Sequence, residues 1–186
     1  LENIEQLHHH PGAPRVRTGT IREFMNRIEN EIADQLPVWN GEFYLEYHRG
    51  TYTSQARNKR NNRKSEILLH DGEFLAAWAT LLTGTAYPAE AVAKAWELIC
   101  LNQFHDIIPG SSIHWVYQDS TRDYETIRQL GESVRNSALS TLEALVDTST
   151  FKEPVLIANT VGIRRREIVE LPDGVLASVD VPPFGY

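Results

Sequence analysis

The chain has 186 residues, a formal net charge of −7 and 41% hydrophobic residues, enough apolar content for one domain or one and a half with a sizeable core. The acidic balance argues against nucleic acid as a partner. No apolar run approaches the roughly 20 residues that span a bilayer, so a membrane is not an expected partner either. One cysteine, Cys100, cannot close an internal disulfide and fits a reducing, cytoplasmic setting.

Residues 1–19 carry Pro11, Gly12 and Pro14 and read as an irregular lead-in, without the regions of a signal peptide. His8, His9 and His10 share no face of a helix or strand, so a solvated loop is expected there rather than a metal set. Thr20-x-x-Glu23 is a capping box, and Ile21, Phe24, Met25, Ile28 and Ile32 follow at helical spacing. The pattern predicts a helix over 21–35, stopped by Leu36-Pro37. Phe43, Leu45 and Tyr47 alternate with Tyr44 and Glu46, which predicts a short strand ending near His48. The basic run that follows (Arg57, Lys59, Arg60, Arg63, Lys64) has no interleaved aromatic residue. It reads as a solvated or internally paired face, with Glu66 or Glu73 as partners, rather than a phosphate site.

From Ser65 the pattern is helical for about eighty residues. A first helix places Ile67, Phe74, Trp78 and Leu81 on one stripe. Gly84 and Pro88 separate it from a second, with Val92, Trp96, Ile99 and Cys100 inward. A third starts near Asp119 and carries Tyr124, Ile127, Leu130, Val134, Leu142 and Leu145. Three stripes joined by short connections must bury one another, so a three-helix bundle is expected. After Thr150 two β-rich runs, 155–158 and 168–171, precede Pro172-Asp173-Gly174. The expected fold class is mainly α: a three-helix bundle with a short α/β piece before it and β-strands at the C-terminus.

The stretch "NQFHDIIPGSS", residues 102–112, holds the sharpest site question. A His near a helix end meets the helix dipole favourably, and an Asp organises the turn after it. One cap would suffice, yet Asn102, Gln103, His105 and Asp106 crowd the same end. Convergence of these side chains on one exposed spot would mark a binding site, and separate caps would mark a helix end only. His48-Arg49-Gly50 carries the same ambiguity, a loop His beside a paired Arg or a binding residue at a strand end. Trp78 and Trp96 read as core, while Trp39 and Trp115 stand near the two polar clusters. Phosphate-binding glycine loops, a nucleophile elbow, CxxC and HExxH are all missing.

The stretches "LPVWNGEFYLEYHRGTYTSQARNKRNNRKSE", "AWELICLNQFHDIIPGSSI" and "VYQDSTRDY" resemble family 38 glycoside hydrolases, the zinc-dependent α-mannosidases, in the family's order and nearest its bacterial and cytosolic branch. The resemblance implies a much longer enzyme: an α/β barrel-like domain ending over 1–64, the middle three-helix bundle over 65–150, and the first strands of a β-sandwich over 151–186. It implies that His105, in Q-x-H-D, is one zinc ligand and that Asp106 contacts sugar hydroxyls. His48 stands where the family places an aromatic residue lining the sugar. The expected cofactor is one zinc ion and the expected partner a mannoside; the resemblance leaves an oligomer of the full-length enzyme open. The family's His-x-Asp ligands, its nucleophile and its general acid have no counterpart here, since His70-Asp71-Gly72 has the wrong spacing. A retaining glycosidase needs two carboxyl groups about 5–5.5 Å apart, so the isolated segment is expected to be inactive. Two other classes compete: a helical-bundle interaction module whose polar helix end is only a cap, and a nucleic-acid module built on Arg57 to Lys64.

Overall fold

The structure, a computed structural model, describes residues 2–8, 10–12, 14–43 and 46–186. Residues 1–43 and 44–186 make two units. In the first, helix α1 (Glu2–His8) occupies part of the expected irregular lead-in. Its sequence has Ile4 and Leu7 at helical spacing and no Pro or Gly; those breakers begin only at Pro11. Helix α2 (Ile21–Ile32) continues as a 3-10 turn over Ala33–Gln35, within the predicted span. The capping box is formed: Glu23 N–H donates to Thr20 Oγ1 (3.2 Å), and Thr20 N–H donates to the Glu23 carboxylate (2.9 Å). These bonds hold the Glu23 carboxyl below its usual range.

In the second unit the strand expected before His48 is not seen among the described residues. Tyr44 and Leu45 lie outside them, and Glu46–His48 form a 3-10 turn. Helix α3 spans Ala56–Thr83, so it begins well before Ser65 and takes in the whole basic run. Asn and Arg tolerate helix interiors, and nothing between Ala56 and Ser65 breaks one. Helix α4 (Ala89–Asn102) follows Pro88, and α5 (His114–Glu143) begins before the Asp119 expected as its start.

The three long helices bury two clusters. Leu69, Ala95, Ile99, Tyr124 and Ile127 form one; Leu75, Ala76, Ala79, Val92, Val134, Ala138 and Leu142 form the other. The predicted stripe of α4 holds for Val92 and Ile99, whereas Cys100 is exposed. That of α5 holds for Tyr124, Ile127, Val134 and Leu142, whereas Leu145 is exposed. On α3 the prediction is displaced: Ile67 and Leu81 are exposed, and Leu69, Gly72, Leu75, Ala76 and Ala79 face the core. The reason is the close crossing of α3 and α5. A Cβ on Gly131 would lie 2.8 Å from the Leu68 side chain, and one on Gly72 would lie 3.3 Å from Val134 Cγ1. Small residues make that approach possible, and small residues give no apolar signal in a sequence.

Phe74 and Trp78 are half-buried and lie under the C-terminal segment, with Phe74 stacked on Phe184 at 5.3 Å. Thr160 donates to Asp71 (2.6 Å), and the buried Asn159 amide donates to the carbonyls of Ile163 and Pro182. The run 155–158 is therefore not a strand; Ala158 packs against the bundle core. The strands are β1 (Arg165–Glu170) and β2 (Leu176–Val181), an antiparallel pair in register Arg165 with Val181. Pro172, Asp173 and Gly174 turn the hairpin, with Gly174 at φ +82°. The architecture is mainly α with a two-stranded C-terminal sheet, as expected. Among the described residues no helix is long and apolar enough to cross a membrane.

Ile127 is fully buried and Leu81 is 81% exposed. Ile127→Ala should cost this chain about 2–5 kcal/mol in urea unfolding, whereas Leu81→Ala should cost less than about 1. The Tyr124 hydroxyl is buried without a hydrogen-bond partner among the described residues. Burial, then the nearby Glu66 and Asp123 carboxylates, push its ionisation well above the usual range, so it stays neutral. Tyr124→Phe should be neutral or stabilising by up to about 1 kcal/mol. A comparable loss in the same unfolding experiment would mean that the hydroxyl is hydrogen-bonded after all.

Candidate functional site

Helix α4 ends at Asn102, and the chain turns immediately. Of the four polar residues crowded there, two are used internally. Asn102 is 1% exposed, and its amide donates to the Leu98 carbonyl (2.9 Å) and to Asp123 (3.0 Å). Gln103 reaches α3, donating to Asn62 (3.0 Å) and Glu66 (2.9 Å). The other two point outward together. The side chains of His105 and Asp106 are 77% and 51% exposed, with Nε2 and Oδ2 3.4 Å apart. Phe104 packs its ring against the imidazole at 4.2 Å.

The backbone beneath this pair is held at three successive carbonyls. Ser112 Oγ donates to the Asp106 carbonyl at 2.6 Å. Tyr117 on α5 points its hydroxyl at the carbonyls of Asp106 and Ile107, at 3.3 Å each, and accepts from Ser112 N–H at 3.0 Å. Asn58 on α3 donates to the Ile107 carbonyl at 3.4 Å, its own side-chain oxygen being held by the buried Ser120 hydroxyl. Lys59 donates to the Ile108 carbonyl at 2.9 Å. Its ammonium also donates to the Ser54 carbonyl (2.6 Å), and burial lowers its proton affinity below the usual lysine range.

His48 is half-buried at the end of the 3-10 turn Glu46–His48, and its carbonyl accepts from Thr51 N–H at 3.1 Å. Arg49 pairs with Glu46, the ordinary pairing available to it. The chain after His48 meets the chain after His105 at Ser54 and Gly110. A Cβ on Gly110 would sit 2.7 Å from Ser54 Cβ and 2.8 Å from its carbonyl oxygen, and Gly110 has φ +92°. Only glycine fits there. The structure thus links the His48 turn to the turn bearing His105 and Asp106.

A zinc ion needs three or four ligands, and this corner offers one imidazole and one carboxylate. Among the described residues no three His, Cys, Asp or Glu side chains gather as a metal set, so these residues alone do not make a zinc centre. His8 closes α1, His9 lies outside the described residues, and His10 is bonded to the Pro11 carbonyl. His70 and Asp71 lie on α3, where Asp71 is engaged by Thr160. The tryptophans Trp39 and Trp115 are each 66% exposed.

Asn58, Ser112 and Tyr117 were not singled out by the sequence. Within the basic run, Arg57, Arg60 and Lys64 are exposed and Arg63 pairs with Glu66 at 3.1 Å, as expected. Lys59 instead bonds main-chain carbonyls, which no residue pattern reveals.

The chain matches the α-mannosidase middle domain over residues 46–142, a little over half its length. It is 37% identical to α-mannosidase 2C1 of Homo sapiens over the whole of this chain and 18% of that protein. With the α-mannosidase of Saccharomyces cerevisiae it shares 42% identity over 66% of this chain and 11% of that protein. The solved structure of a glycosyl hydrolase family 38 protein from Enterococcus faecalis superposes with a TM-score of 0.63 at 25% identity, covering 89% of this chain and 19% of that one. An α-mannosidase structure from the same species gives 0.63 at 26% identity over 87% of this chain. The chain thus spans about a fifth of the length of the relatives it matches. On the matched segment, the identities and the shared bundle, it belongs to the family 38 α-mannosidases and contains their middle domain.

Proposed function

We propose that this chain is the middle segment of a longer zinc-dependent, retaining α-mannosidase that hydrolyses terminal α-D-mannosides. One observation carries the reading: His105 and Asp106 project side by side into solvent from a turn whose main chain is bonded at three successive carbonyls, while Asn102 is buried and the exposed Gln103 is engaged by Asn62 and Glu66 of α3. In this role His105 is one metal ligand, Asp106 accepts hydrogen bonds from sugar hydroxyls, and His48 lines the sugar from the linked turn. The zinc, when bound, supplies Lewis acidity and a grip on the sugar hydroxyls. The remaining ligands, the nucleophile and the general acid come from outside this segment, so the segment alone is inactive.

The test is made on the full-length enzyme. Replacing a group that only orients a metal ligand typically costs about 10–100-fold, so His105→Ala should lower α-mannoside hydrolysis by more than about 100-fold and release zinc. Wild-type hydrolysis with zinc retained would leave the pair as a helix terminus and favour an interaction module instead.

A further inference from the structure

We infer that Lys59 is a positioning residue of the sugar site: its ammonium sets the spacing between the turn that carries His48 and the turn that carries His105 and Asp106. The inference rests on the mannosidase reading above. Its ground is geometric. Lys59 Nζ donates at once to the Ser54 carbonyl (2.6 Å), six residues after His48, and to the Ile108 carbonyl (2.9 Å), two residues after Asp106. Neither acceptor is a carboxylate, and among the described residues this lysine forms no ion pair; it holds two carbonyl dipoles together. Gly110 sits against Ser54 with room for no Cβ, so the two turns are in contact where the ammonium ties them.

A further observation points the same way. Gln55, between Ser54 and the start of α3, has φ +53°, a left-handed backbone that residues with a side chain seldom adopt. Such a conformation persists where the surroundings over-determine it, and such sites cluster at functional places. The Lys59 contact and the Asn58 N–H donating to the Gln55 carbonyl (2.8 Å) bracket that residue. Lys59 donates to main-chain carbonyls and so acts through the backbone on either side. A displacement of about 1 Å in such a frame can cost 100-fold in rate.

The experiment compares Lys59→Met, Lys59→Arg and His105→Ala in the full-length enzyme, reading kcat and KM for an aryl α-mannoside. KM does not depend on how much enzyme is folded, so it separates geometry from mere loss of active protein. Lys59→Met should raise KM several-fold and lower kcat/KM by about 10–100-fold. Lys59→Arg, which keeps the charge with a different reach, should recover part of both. A wild-type KM in Lys59→Met, with kcat falling only in step with the yield of folded enzyme, overturns the inference. If Lys59→Met yields no soluble enzyme, Lys59→Gln, which removes the charge, carries the same readout: a raised KM supports the inference and a wild-type KM overturns it. His105→Ala keeps the two readings apart. Activity lost in His105→Ala with a wild-type KM in Lys59→Met sinks only the role of Lys59; full activity in His105→Ala sinks the site itself.

Discussion

Three consecutive carbonyls, those of Asp106, Ile107 and Ile108, are each taken by a side chain from Ser112, Tyr117, Asn58 or Lys59. A turn that has just left a helix has spent its regular backbone partners, and an unpaired carbonyl shielded from water is costly. Here Asn58 and Lys59 of α3, Tyr117 of α5 and, from the turn itself, Ser112 and the Gly110 N–H supply the partners. The result is a short irregular segment whose main chain is bonded at each of these carbonyls, with Ile107 and Ile108 half-buried and His105 and Asp106 facing outward. Without that arrangement His105 and Asp106 would ride on a loop of many conformations.

The core makes the arrangement possible. Gly72 and Gly131 let α3 and α5 approach closely, and that approach brings the first turns of both helices to the end of α4. Asn58 from one and Ser120 from the other then share a hydrogen bond at the same level as the carbonyls they support. Buried polar groups of this kind are stable only when all are satisfied. Asn102 extends the same logic to the interior, joining α4 to Asp123 of α5. Apolar packing sets the helix spacing, and these polar contacts fix the level at which each helix meets the turn.

Much of this was legible in the residues, for identifiable reasons. The capping box at Thr20, the Pro88 start of α4, the apolar faces of α4 and α5, and the bundle itself follow from local chemistry and periodicity. The crowding at 102–106 was visible too, although not its division into a buried Asn102, a Gln103 bonded to α3 and an outward His105 and Asp106. The face of α3 was misread because Gly72, Ala76 and Ala79 pack by being small, while the larger Phe74 and Trp78 answer to the C-terminal segment. The early start of α3 was missed because a run of Arg, Lys and Asn carries no apolar period. Lys59 was hidden by the same run: its charge suggested solvent or a carboxylate, and its partners are main-chain atoms. The hairpin fell later than expected because the run 155–158 is spent against the bundle.

Helix α3 is one uninterrupted element of 28 residues, about 42 Å long. Its first turns carry Asn58 and Lys59, and its second half carries Asp71, Phe74 and Trp78 beneath the C-terminal segment. It is therefore a ruler with marks at both ends. One residue inserted between those marks would rotate one end by about 100° against the other and shift it by about 1.5 Å, so no side-chain adjustment could restore both. The connection after α5, exposed over much of its length, can absorb such a change. The connections of this chain can thus change length, whereas the spacing along α3 cannot change by a residue without detaching one end from its partners.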